Sequence, residues 1–136
     1  MAAFLYDKGR EAFLNGDISW GRDTIKAVMV DLGAYAADSA AHQYLTDVPA
    51  GARFGTPVTL GSKTVAAGVA DAADCSVTGI TSAPTLEGVL IYQDSGNPAT
   101  SRLITLIDTA TGLPVAAGAS QCDIQWSNGA TKIFKL

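Results

Sequence analysis

Apolar residues along this chain recur with a period of two far more often than with a period near 3.6, so strands are expected to outnumber helices. In residues 23–32, Ile25, Ala27 and Met29 point one way and Lys26, Val28 and Val30 the other. That predicts a strand with one face more buried than the other. Residues 86–94 and 101–109 are the two strongest strand segments, joined by a turn built from Ser95, Gly96, Asn97 and Pro98. Leu103, Ile104, Leu106 and Ile107 leave the second of these no polar face, which places it inside a sandwich or beneath a partner. Residues 57–80 read as two or three strands, broken at Gly61-Ser62 and over residues 70–74. Residues 111–120 read as a loop. Residues 122–126 alternate, with Cys122, Ile124 and Trp126 inward and Asp123 and Gln125 outward. Asn128-Gly129 suits a tight hairpin turn, so this strand is expected to pair with residues 131–136, where Ile133 alternates with Lys132 and Phe134.

Helical spacing is confined to the N-terminal third. Leu5, Ala12, Phe13 and Leu14 give a partial apolar stripe over residues 6–17, Asp7 offers a cap and Asn15-Gly16 a stop. Gly9 works against this helix, and its shortness means it must dock on something to persist. A second helical turn is expected where Asp38 or Ser39 caps Ala40, Ala41, Tyr44 and Leu45, with Pro49 ending it. The pattern as a whole predicts a mainly β chain. It reads as one domain over residues 1–136, a β-sandwich, jelly roll or barrel with one or two short helices near the N-terminus.

Composition agrees. In 136 residues, hydrophobic types make up 48% and charged types 16%, enough for a core and too little charge for disorder. Fourteen glycines and a predominance of Asp over Glu favour many turns. The net charge of -4 and the scattered Lys and Arg argue against nucleic acid as a partner. No stretch approaches the roughly 20 apolar residues of a membrane-spanning helix. Charges at Asp7, Lys8, Arg10 and Glu11 fall where a signal peptide would be apolar, so synthesis and use without secretion by that route are expected. Cys75 and Cys122 are expected as buried thiols, able to pair only if their strands are neighbours.

Candidate chemistry is sparse. The single histidine, His42, lacks partners at metal spacing and is expected near a short helix rather than as a general base. Asp71, Asp74 and Asp108 do not follow a calcium-loop spacing and read as turn residues. No nucleophile elbow, phosphate-binding loop or dinucleotide fingerprint occurs. The two glutamates, Glu11 and Glu87, lie in unrelated segments. The aromatics are spread one per element, as core anchors are. Trp20 is the one candidate for touching a partner, its alternative being the core. The expectation is therefore a non-enzymatic structural or interaction protein without cofactor.

Several phrases, in order, carry a resemblance. They are YDKGREAFLNGDISW, HQYLTDVP, KTVAAGVADAADCSV, LIYQDSGNPATSRLITLIDTATGLPV and WSNGATKIFKL. Together they resemble a family of small virion proteins of tailed bacteriophages, of the head decoration or capsid cement kind, over nearly the whole chain. The resemblance implies a β-rich, jelly-roll-like domain made in the host cytoplasm and placed on the outer capsid surface. Its partners would be the major capsid protein and further copies of itself, as dimers or trimers. It carries no individual contact residues. In that setting Phe4, Leu5 and Tyr6 belong to a possible N-terminal arm, residues 1–6, that orders on the capsid or a sister subunit, or else they pack on their own domain. Phe134 and Leu136 belong to a terminal strand whose edge is either covered, with Lys132 and Lys135 as edge charges, or is where a partner docks. Other readings are a tail or connector component, and a carbohydrate-binding module for host attachment, which requires a row of exposed aromatics.

Overall fold

The computed structural model describes residues 4–81 and 83–136. In chain order the elements are β1 (Phe4–Leu5), α1 (Asp7–Asn15), β2 (Ile25–Val30), β3 (Arg53–Thr59), β4 (Thr64–Ala66), β5 (Val69–Asp71), β6 (Cys75–Thr78), β7 (Gly88–Gln93), β8 (Arg102–Ile107), β9 (Gln121–Ile124) and β10 (Phe134–Lys135). Single 3-10 turns occupy Leu45–Asp47 and Ala50–Ala52. One sheet has the order β1-β8-β7-β2-β3-β6-β9, the other β10-β5-β4. Every pair between them is antiparallel. The chain is thus a mainly β, sandwich-like domain with one α-helix near its N-terminus.

Three central strands, β2, β7 and β8, are covered on both faces. Ile25, Ala27 and Met29 share one core with Val89, Ile91, Ile104 and Ile107, under side chains from β5, β6, β9 and β10. Val28 and Val30 share the other with Leu90, Tyr92, Leu103 and Leu106, beneath Tyr6, Tyr35, Leu45, Val48 and Ala52. The presence of apolar residues on both faces of β8 also reflects a bulge. The register of β7 against β8 slips between Ile91 and Tyr92, so Thr105 faces Ile91 while Leu103 faces Tyr92. Ile104 is the extra residue, and it joins the first core.

Helix α1 runs beside β8 beyond the end of β1. The Tyr6 N–H bonds to the Ile104 carbonyl at 3.0 Å as the chain turns into the helix. Asp7 lies in the first helical turn rather than at the cap, which Tyr6 occupies, and Gly16 closes the helix at φ 79°. Gly9 has its reason in packing: a Cβ there would lie 2.6 Å from the Leu103 carbonyl oxygen. The glycine that weakens the helix is what lets it lie against the sheet.

Two sequence expectations are corrected. Residues 122–126 do not pair with the last strand; β9 pairs with β6, and β10 pairs with β5. The hairpin turn of the small sheet is Ala67-Gly68, with φ 52° and 78°, between Ala66 and its partner Val69. Residues 70–71, expected in a break, therefore lie in β5. The turn near residue 40 is capped by Asp38, which accepts from the N–H groups of Ala40 and Ala41, both at 3.0 Å. No α-helix follows, because Ala40 and Ala41 are exposed and supply no apolar face. Cys75 and Cys122 sit diagonally on neighbouring strands, opposite Ile124 and Val77, as free thiols. Burial pushes both up, Cys75 to about 11.

The second core holds a hydrogen-bonded chain. The Asp38 N–H lies 3.2 Å from His42 Nδ1. The Tyr35 hydroxyl lies 2.8 Å from the same nitrogen and 2.9 Å from the Tyr6 hydroxyl further in. Burial pushes the Tyr6 and Tyr35 phenols up, and takes Tyr92 to about 12.

These features make two predictions. Gly9→Ala should destabilise by about 1–3 kcal/mol from overpacking, against the ~1 kcal/mol that helix propensity alone would add. Urea unfolding measures it, and a variant as stable as the parent would refute the close approach. Alkaline pH should unfold the chain early. Unfolded tyrosines lose their protons near pH ~10, whereas the folded ones hold theirs. Stability is complete below that pH and falls above it, by about 1.4 kcal/mol per unit for each tyrosine. The Cys75 and Cys122 thiols begin the fall somewhat lower. A urea midpoint that stays flat from pH ~8 to ~11 would contradict the burial of these groups.

Candidate functional site

An apolar groove of about 220 Å³ lies between α1 and the inner face of the small sheet, lined by Phe13, Trp20, Val65, Gly68, Ala70, Phe134 and Leu136. Its position follows from strand pairing. Phe134 of β10 and Val65 of β4 are both cross-strand partners of Ala70 of β5, so the three side chains form one row on one face. Phe134 and Ala70 are buried under the helix side, while Val65, on the edge strand, is 64% exposed. The row thus begins in the core and ends in solvent.

The floor is fixed by aromatic packing. Trp20 meets Phe134 edge-on, with centroids 5.3 Å apart and planes at 88°, and Phe13 lies 5.7 Å from Phe134. The Trp20 indole N–H donates to the Asp71 carbonyl at 3.1 Å, tying the ring to β5. At the rim, the Leu136 N–H bonds to the Gly68 carbonyl at 2.9 Å, which holds the exposed leucine over the hairpin turn. None of the lining side chains titrates. What this surface can do is exclude water around an apolar partner.

Among the described residues, the exposed large hydrophobic side chains are Leu14, Val65 and Leu136. Two of the three line this groove, and Leu14 follows its lining residue Phe13 on α1. Val65 was not singled out by sequence reading, and Leu14, expected in the apolar stripe of the helix, is instead 82% exposed. Val65 sits in an alternating segment where one more apolar residue looks like core. Only the edge position of β4 leaves it in water.

Of the six residues expected to contact a partner, the groove gathers Trp20, Phe134 and Leu136, of which Leu136 alone is exposed. Trp20 is corrected from a candidate exposed contact to the buried floor, because its indole spends its polar edge on Asp71. Phe134 likewise lies beneath the surface, held by the two rings against it. Phe4 and Leu5 line a neighbouring groove with Arg10, Thr105, Ile133 and Lys135. They do not form a free arm: β1 pairs with β8, Phe4 opposite Leu106 and Leu5 opposite Thr105. The Thr105 hydroxyl also donates to the Phe4 carbonyl at 2.6 Å. Tyr6 is fully buried in the second core and is corrected from partner contact to core. Residues 1–3 of the expected arm lie outside the described residues.

His42 stands on the Tyr35 side, stacked on that ring at 5.4 Å and away from the groove. Among the described residues, no group of three or more His, Cys, Asp or Glu side chains is placed to hold a metal ion. None of the ten aromatic side chains is exposed, so the row of open rings that a carbohydrate platform requires is not formed.

Substitutions at Trp20 test whether it is floor or surface. Trp20→Phe should cost about 1 kcal/mol for the lost hydrogen bond, and Trp20→Ala about 3–5 kcal/mol for the emptied floor. Denaturant unfolding separates them. A Trp20→Ala cost within ~0.5 kcal/mol would mean a surface residue. In comparisons with known proteins, no family model, no curated protein and no solved structure matches this chain.

Proposed function

We propose that this chain is a head decoration, or capsid cement, protein of a tailed bacteriophage. It adheres to the outside of the assembled head through the groove beside α1 and clamps neighbouring major capsid protein subunits. The observation that carries the reading is the groove itself, in which Val65 and Leu136 stand exposed above a floor locked by Trp20, Phe13 and Phe134. The phrases that resemble small phage virion proteins supply the partner. The net charge of -4 favours the outer surface over the packaged DNA.

The action is mechanical and needs no bond-making step. Covering Val65 and Leu136 contributes about 1–2 kcal/mol each, which is weak for one contact. Binding that requires the expanded lattice stabilises that lattice by mass action. Contacts to two capsid subunits at once raise the effective affinity without new chemistry. The protein is made in the host cytoplasm and ends on the virion surface.

Copy number in purified particles tests this reading. Copies comparable to the major capsid subunit mean cement; roughly a dozen mean a connector or tail part. Leu136→Asp should lower the copies per particle several-fold at unchanged melting temperature. Absence of the chain from particles, or full occupancy by Leu136→Asp, would overturn it.

A further inference from the structure

The two sheets expose four edges, and three of them are guarded. The β9 edge is covered by the loop through Thr111 and Gly112. Thr111 bonds to Gln125 in both directions, and a Cβ on Gly112 would meet the Asp123 carbonyl oxygen at 2.2 Å. The β10 edge carries Lys135, with Lys132 just before it, and the β1 edge borders a groove that holds Arg10 and Lys135. Charges of this kind keep edges from pairing with other chains.

The fourth edge, β4, is uncovered: the charges that flank it, Asp71 and Lys132, line a groove on the face of Thr64 and Ala66, opposite to that of Val65. Thr64, Val65 and Ala66 are uncharged and exposed, and so is Ala67 after them. The nearest charge along the chain, Lys63, is turned back into the fold, where its Nζ donates to the Asp23 carbonyl. β4 pairs with β5 on one side only, so its other row of backbone groups faces solvent.

We propose that β4 is a self-association edge, at which Thr64–Ala66 of two copies pair antiparallel about a two-fold axis at Val65. In this register Val65 meets its own counterpart, Thr64 meets Ala66, and Lys63 meets Ala67, so no like charges face each other. An axis perpendicular to the sheet keeps the inner faces on one side. The row Phe134, Ala70, Val65 is then continued by Val65, Ala70 and Phe134 of the second copy, across one six-stranded sheet. Two exposed valines become a cross-strand pair, and two half-paired strands become interior ones.

A second copy fits this edge better than a foreign strand. The edge is three residues long and stops at the Ala67-Gly68 turn. Two equal three-residue edges match in length, whereas a longer strand would overrun both ends. Resting on the reading of the groove as a lattice contact, the dimer presents two grooves toward the same side, one for each of two capsid subunits.

Sedimentation velocity of the full chain over a wide concentration range tests the pairing. The parent should show a monomer–dimer equilibrium, and Val65→Lys, placing two ammonium groups at the axis, should remain monomeric with its unfolding midpoint preserved. Under mild oxidation Val65→Cys should give a covalent dimer, whereas the parent, with its two native thiols, and Leu14→Cys, 82% exposed in the parent but off the edge, should not. A parent that stays monomeric overturns the proposal, as does a dimer that survives Val65→Lys or a Val65→Cys that cross-links no better than Leu14→Cys. A monomer that still occupies particles through Leu136 would leave the decoration reading standing. A dimer never found in particles would do the reverse.

Discussion

The constraint on which the rest depends is the burial of β2, β7 and β8 on both faces. A sheet that must be covered twice needs a layer on each side, and a chain of this length has few elements to spare. The small sheet, the β6–β9 pair and α1 serve one face. The loop between β2 and β3, with its two 3-10 turns and the tyrosines Tyr6 and Tyr35, serves the other. The elements left at the rim are short. That is why the small sheet ends in a three-residue strand with its apolar row unfinished, and why an exposed apolar surface appears there.

The strands that are legible in sequence are those whose side chains alternate or run apolar: β2, β7, β8 and β9. The helix was legible too, although Gly9 spoke against it, since no local signal shows that the helix needs a gap over Leu103. What could not be read was partnership. Asn128-Gly129 is a strong turn signal, yet Ile133 and Phe134 are both buried and the last strand crosses to β5 instead of returning to β9. Ala67-Gly68, a weaker turn dipeptide, makes the tight hairpin because the register of Ala66 with Val69 demands it. Pairing is decided by which apolar faces meet, and that is a property of the whole chain.

The site was half legible for the same reason. Aromatic residues announce themselves, so Trp20 and Phe134 were found, but their roles depend on neighbours remote in sequence. Trp20 reads as a surface candidate until Asp71, 51 positions away, accepts its indole N–H. Val65 looks like core until β4 proves to be an edge. Tyr6 resembles part of an arm until Tyr35 and His42 complete its hydrogen bonds. In each case the sequence shows the residue type, while burial is set by which strands lie beside it.

The pairing of β1 with β8 joins residues far apart in the chain, Phe4 and Thr105 being 101 positions from each other. Closing so large a loop costs entropy before any contact repays it. On a ribosome, β1 and the helix after it have no strand to lie on until β8 has emerged. In the interval β8, with Leu103, Ile104, Leu106 and Ile107, is itself an open edge. The newborn molecule is therefore stickiest in the interval before β1 and β8 have met, and the crowding of the cell acts on it at that moment.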